Sequence, residues 1–171
     1  RFELAARVGA PLMVCTPPME RPGRDGLANG YRDLLQIGRE TGVRAVLEYI
    51  SFFASLNNVS DTVAVLDECG DPDACLILDA FHNWNNATTL DDLRALAPER
   101  LAHYHIDDAP AGIPSGSQRD PDRVMVGDGN AQAAAYAADH GLPGVAVSDA
   151  HSVIEIGVAY TALDGDPGTP A

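Results

Sequence analysis

Short apolar runs alternate along the chain with longer segments of mixed polarity. Four of these runs end at Cys15, Glu48, Asp79 and His105, and a fifth covers residues 142–147. Apolar runs this short, flanked by helix-like segments, are typical of buried parallel strands. The strand–helix unit recurs at roughly 30 residues, which predicts an α/β fold with a parallel sheet and right-handed crossovers.

The segments between the runs predict helices and one long loop. Helices are expected over residues 2–8, 27–41, 60–69, 90–96 and 131–140. Gly42 is expected to end the second of them, and Ser60 and Thr89 to cap the third and fourth. Residues 107–122 are rich in Pro, Gly and Ser, which predicts a long loop of the kind that forms lids or substrate contacts.

Composition narrows the function classes. The formal net charge is −14, with 25 acidic against 11 basic residues. Nucleic acids and anionic membranes need basic patches, so neither is an expected partner. The cysteines Cys15, Cys69 and Cys75 show no paired spacing, which favours buried thiols and a cytoplasmic location.

Polar groups stand at the ends of three consecutive predicted strands. Glu48, Asp79 and His105 each close an apolar run. Ligands gather where parallel strands end, because the loops open there. Two carboxylates and an imidazole predict a divalent-metal site. Glu48 could instead cap a helix or pair with an arginine, and His105 could be a satisfied polar side chain. Asp79 is harder to explain in such a way, because a carboxylate buried without a partner is costly.

Four segments carry a family resemblance. They are residues 47–49 (LEY), 78–82 (LDAFH), 103–108 (HYHIDD) and 123–129 (RVMVGDG). Together they resemble the sugar phosphate isomerase/epimerase family of xylose isomerase-like TIM barrels, over about residues 2–130. The resemblance implies one partial (β/α)₈ barrel domain over residues 1–171, with about the last five βα units.

The resemblance also implies roles for individual residues. Glu48, Asp79 and His105 would be the first three ligands of a manganese, magnesium or zinc ion. His82 and Arg123 would contact the substrate. In the family's epimerases two glutamates move the proton beside the carbonyl, and Glu48 would be one of them.

The C-terminal part departs from this pattern. Residues 140–152, with Glu155 beyond them, resemble the end of a polymerase and histidinol phosphatase (PHP) phosphoesterase domain. This predicts a hybrid with a seam near 129–130. Asp149 or His151 would then complete the metal shell where the family's last glutamate is expected, and Glu155 is a weaker candidate.

The sequence therefore predicts a metal-dependent isomerase or epimerase that transfers a proton next to a sugar carbonyl. A PHP-type phosphoesterase, a dehydratase of inosose or dehydroshikimate-like rings, and an inactive barrel fragment are the alternatives. The expected partner is a sugar or sugar phosphate. Because five strands cannot close an eight-stranded barrel, we also expect a homo-oligomer or a missing N-terminal half.

Overall fold

The computed structural model describes residues 1–20 and 22–129. In this part of the chain, four strands alternate with helices. The elements are α1 (Phe2–Arg7), β1 (Leu12–Cys15), α2 (Arg24–Thr41), β2 (Arg44–Leu47), α3 (Val59–Cys69), β3 (Leu76–Asp79), α4 (Ala80–Asn85), α5 (Leu90–Arg94) and β4 (Leu101–His105), with 3₁₀ turns at Pro98–Arg100 and Asp120–Asp122. No helix among the described residues is both long enough and apolar enough to cross a membrane.

The four strands form one parallel sheet in the order β1-β2-β3-β4. Strands adjacent in sequence are therefore adjacent in space, as in a (β/α)₈ barrel. The pairing is continuous between β1 and β2, but β2 and β3 pair only at Leu47 and Leu76. The α/β class and the partial-barrel architecture are confirmed. The predicted strand at 142–147 and helix at 131–140 lie outside the described residues.

The sheet buries apolar side chains on both faces. Ala45, Leu47, Leu76 and Leu78 belong to the main core, which they share with the helices. Val46, Cys75 and Ile77 form a smaller buried cluster. Successive side chains of a strand point to opposite faces, so the two clusters lie on opposite sides of the sheet.

Tyr31 supports the sheet where pairing between β2 and β3 is sparse. Its buried hydroxyl, on α2, lies 3.1 Å from the Ala45 carbonyl oxygen and 2.8 Å from that of Cys75. It also accepts from the Cys75 N–H at 3.2 Å. One side chain therefore serves backbone groups of β2 and of the residue that precedes β3, and such groups are costly to bury unpaired.

Several element boundaries differ from those predicted. The cap of α3 is Asn58 rather than Ser60, since the Asn58 side chain accepts from the Asp61 N–H. The second helix begins at Arg24 rather than at residue 27, and α5 ends at Arg94 rather than at residue 96. Gly42 and Thr89 do end and cap their helices as predicted. The short helix α4 was not predicted.

Gly38 tests the packing of α2 on the sheet. A Cβ at this position would lie 2.6 Å from the Val43 carbonyl oxygen. We expect Gly38→Ala to lower the free energy of unfolding in urea by about 1–3 kcal/mol, the usual cost of overpacking. Gly30, exposed on the same helix with nothing within 4 Å of its Cβ position, is the matched control. Gly30→Ala should raise stability by about 0.5–1 kcal/mol, because alanine is the better helix former. Equal effects of the two substitutions would contradict this packing.

Candidate metal centre

Glu48 and Asp79 are two buried carboxylates at the same edge of the sheet. Glu48 directly follows β2 and Asp79 is the last residue of β3. Their exposed fractions are only 8% and 2%. Glu48 continues the alternation of Val46, and Asp79 that of Ile77, so both are expected on the face of the smaller apolar cluster. Two buried anions need positive partners.

His105, at the end of β4, is the first of these partners. Its Nδ1 lies 3.4 Å from Glu48 Oε1 and 3.7 Å from Asp79 Oδ2. Hydrogen bonds to Asp79 and to Glu48 outweigh the opposing effect of burial and raise the pKa of His105 to about 9. The three strand-end residues therefore meet, as the sequence predicted. Their role as metal ligands remains a prediction.

His103 also lies on β4, two residues earlier. Its ring centroid is 5.2 Å from that of His105, at an interplanar angle of 78°. Unlike His105, His103 is an exposed residue. It therefore packs against the site imidazole from the solvent side.

His82 contributes a second imidazole. The carboxylate of Asp79 caps α4 by accepting from the His82 N–H at 2.8 Å, which turns the chain back over the strand end. Glu48, Asp79 and His82 each offer a ligand atom within 4.8 Å of the others. Burial lowers the pKa of His82 despite the nearby charge of Asp79. His82, predicted as a substrate contact, thus lies as close to the carboxylates as a ligand would.

Arg123 reaches Asp79 from the loop after β4. Its guanidinium pairs with Asp79 at 2.9 Å, with Asp120 at 3.1 Å, and with Asp107. It also stacks over Phe81, with Cζ 4.6 Å from the ring centroid. Burial alone would raise the pKa of Asp79, but the hydrogen bond from His105 and the charge of Arg123 outweigh it, and that pKa falls to about 2.

Asp108 anchors the segment that carries Arg123. This buried carboxylate accepts from the backbone N–H groups of Gly127 (3.0 Å) and Gly129 (3.1 Å). A Cβ at Gly129 would overlap the Ala109 carbonyl oxygen, so the close approach requires glycine. The Gly-x-Gly turn after Arg123 thus has a structural reason: it wraps around Asp108.

Some groups of the site were not assigned by the sequence interpretation. Asp107 and Asp108 come two and three residues after the end of the fourth strand, so the strand-end argument that found Glu48 could have found them. Asp120, Ser51 and Asn85 carry no comparable signal, because loops and a short helix bring them to the site. The predicted ligands Asp149 and His151, with Glu155, lie outside the described residues.

Comparison with known proteins places the chain in a family. Residues 1–152 match the model of the xylose isomerase-like TIM barrel. The chain therefore belongs to the xylose isomerase-like TIM barrel family. This match continues past the seam predicted at 129–130, and the PHP resemblance finds no support in it.

Individual relatives agree with this assignment. The chain is 29% identical over 98 residues to an inosose isomerase of Bacillus licheniformis, covering 57% of this chain and 35% of that protein. It is 25% identical over 123 residues to an inosose isomerase of Halalkalibacterium halodurans, covering 71% of this chain and 43% of that protein. The chain thus spans less than half of either relative.

A solved structure shows the same fold. The crystal structure of the IolI protein with a bound zinc atom matches with a TM-score of 0.72 and 21% identity. The match covers 84% of this chain and 54% of that one. At this identity, the likeness concerns the fold.

Asp108 gives a testable account of how Arg123 is held. Asp108 Oδ2 accepts from Gly127 and Gly129, and Oδ1 accepts from the Ala109 N–H at 2.8 Å. In Asp108→Asn only one oxygen remains, so at least one of these N–H groups would face the NH₂ group unpaired. We expect stability to fall by about 1–3 kcal/mol and hydrogen exchange at the Ala109, Gly127 or Gly129 amides to accelerate. Asp128→Asn, an exposed change in the same turn, is the control and should leave both quantities unchanged. Unaltered exchange in Asp108→Asn would show that the turn is held by other contacts.

Proposed function

We propose that this chain forms the metal-binding part of an isomerase or epimerase that moves a proton beside the carbonyl of a sugar or cyclic polyol. The observation that carries the proposal is the meeting of Glu48, Asp79 and His105 from three consecutive strand ends. Membership of the xylose isomerase-like family supports the same reaction class.

The side chains suit a divalent cation. Two buried carboxylates and an imidazole are a donor set accepted by manganese, magnesium and zinc. Both carboxylates now have positive partners, since His105 lies against both and Arg123 pairs with Asp79. A cation bound here would polarise a carbonyl oxygen and so reduce the cost of removing the neighbouring proton.

The other groups have distinct proposed tasks. Glu48 accepts or returns the proton, because no arginine among the described residues pairs with it as Arg123 pairs with Asp79, and its side chain is the more exposed of the two. Arg123 and His82 bind substrate oxygens. Asp149 or His151, outside the described residues, remains the proposed last ligand and the second proton carrier.

The relatives suggest a substrate class. Two of them are named inosose isomerases, and an inosose is a ring ketone that carries several hydroxyl groups. We propose a keto-polyol of this kind as the substrate. Such a molecule offers the oxygen pair and the acidic C–H bond that a metal, Arg123 and Glu48 would serve.

Manganese binding to the metal-free protein tests the centre. We expect Glu48→Gln, Asp79→Asn and His105→Gln each to weaken the affinity at least about tenfold, measured by titration calorimetry. Glu40→Gln is the matched control, since it removes an exposed carboxylate on α2, away from the site, and should not change the affinity. Full affinity in Glu48→Gln and Asp79→Asn would refute the centre.

Proton transfer is tested in heavy water with an inosose and manganese. We expect solvent deuterium to enter next to the carbonyl, as followed by NMR, and Glu48→Gln to slow this exchange on the order of 100-fold or more. Release of phosphate from an aryl phosphate would indicate a phosphoesterase instead, and loss of water with new ultraviolet absorbance a dehydratase. Metal binding without any turnover would indicate an inactive barrel fragment.

A further inference from the structure

Asn85 is a buried amide that connects a loop to the site. It lies at the end of α4 with an exposed fraction of 4%. Its Oδ1 accepts from the backbone N–H groups of Gly116 at 2.6 Å and Gln118 at 3.3 Å. Its Nδ2 donates to the Gln118 carbonyl at 3.1 Å and to Ser51 Oγ at 2.9 Å.

The backbone decides which way the Asn85 amide points. An N–H group only donates and a carbonyl only accepts, so the two N–H groups must face the amide oxygen and the carbonyl must face the amide nitrogen. The group directed at Ser51 is therefore NH₂. Because Ser51 Oγ accepts this hydrogen bond, its own hydrogen is available for another acceptor.

That acceptor is the His82 ring. Ser51 Oγ lies 3.0 Å from His82 Nδ1, and the Ser51 backbone N–H points at the same nitrogen at 3.4 Å. The backbone N–H group can only donate, so Nδ1 must be unprotonated, and the Ser51 hydroxyl, which could serve as donor or acceptor, must then donate to it as well. A neutral imidazole then carries its proton on the other nitrogen, Nε2.

We propose that Asn85 and Ser51 are positioning residues that hold His82 as the Nε2–H tautomer, so that His82 donates a hydrogen bond into the site. The relay runs from the loop backbone at 116–118 through Asn85 and Ser51 to the imidazole. The backbone groups of this loop determine the orientation of the Asn85 amide, and that orientation sets the direction of the hydrogen bonds along the relay.

The relay changes the meaning of the contact between His82 and Arg123. Arg123 Nη2 lies 3.3 Å from His82 Nε2. With a proton on Nε2, both groups are donors, and one oxygen atom is the natural acceptor for the pair. That this oxygen belongs to the substrate rests on the proposed function. A protonated Nε2 is also unavailable to a metal, which leaves His105 as the imidazole ligand.

Nitrogen-15 NMR of the histidine rings tests the relay without substrate or metal. The full chain is measured with chelator at pH 8, where an imidazole is ordinarily neutral. Protonated and unprotonated ring nitrogens resonate far apart, and the His82 signals are assigned by their loss in His82→Gln. We expect Nε2 to be protonated and Nδ1 unprotonated. An Nδ1–H ring, or a doubly protonated one, would overturn the proposal.

Two pairs of variants test whether Asn85 and Ser51 determine the tautomer of His82. In Asn85→Asp, the carboxylate still accepts from the loop but cannot donate to Ser51. The Ser51 hydroxyl should then turn to the carboxylate, so that only the Ser51 backbone N–H remains on Nδ1, and the Nδ1–H tautomer of His82 should gain population. Asn29→Asp adds the same charge at an exposed position on α2 and should change nothing. Ser51→Ala should give a mixture of tautomers, whereas Ser51→Thr keeps the hydroxyl and should restore the wild-type spectrum.

The outcomes separate this proposal from the proposed function. An unchanged tautomer in both Asn85→Asp and Ser51→Ala would overturn the relay, whatever the enzyme does. Should Asn85→Asp fail to fold, the Ser51 pair and the wild-type spectrum still decide. Conversely, a confirmed tautomer in a protein that neither binds manganese nor exchanges deuterium would keep the relay and refute the isomerase.

Discussion

The site depends on the burial of two like charges next to each other. Glu48 and Asp79 lie at neighbouring strand ends, almost without exposure to water. Burying two carboxylates side by side is costly, because each loses its hydration and repels the other. Among the described residues, His105 from the next strand and Arg123 from the following loop supply the compensating positive charge. A divalent cation would compensate the same two negative charges.

The need to compensate buried negative charge also explains the structure around Arg123. The guanidinium meets carboxylates of Asp79, Asp107 and Asp120, and the loop that carries it is tied to the sheet through Asp108. Arg123 is thus held by acidic groups on several sides. Such a clamp fixes the direction of the remaining N–H groups more firmly than a single ion pair would, because each contact removes a rotational freedom of the long side chain.

The parts of the site that could be predicted from sequence are those set by regular structure. Apolar runs located the strands, and their ends located Glu48, Asp79 and His105, because parallel strands place their ends at one edge. The helix α4 could not be predicted in this way: it has six residues, and its start is decided by the Asp79 cap rather than by an amphipathic repeat. Ser60 and Asn58 are both good cap residues, so only the geometry of the Asp61 N–H separates them. The relay through Asn85 depends on the path of an irregular loop, which has no periodicity to interpret.

The two carboxylate oxygens of Asp79 have different structural roles. One oxygen begins α4 by accepting from the His82 backbone, and the other faces Arg123 and His105. The length of this side chain therefore fixes both the start of α4 and the position of the carboxylate charge relative to Arg123 and His105. An engineer who exchanged it for glutamate to change cation preference would also displace the helix that carries His82 and Asn85. In this scaffold, a change in the proposed cation site at Asp79 would also change the positions of His82 and Asn85.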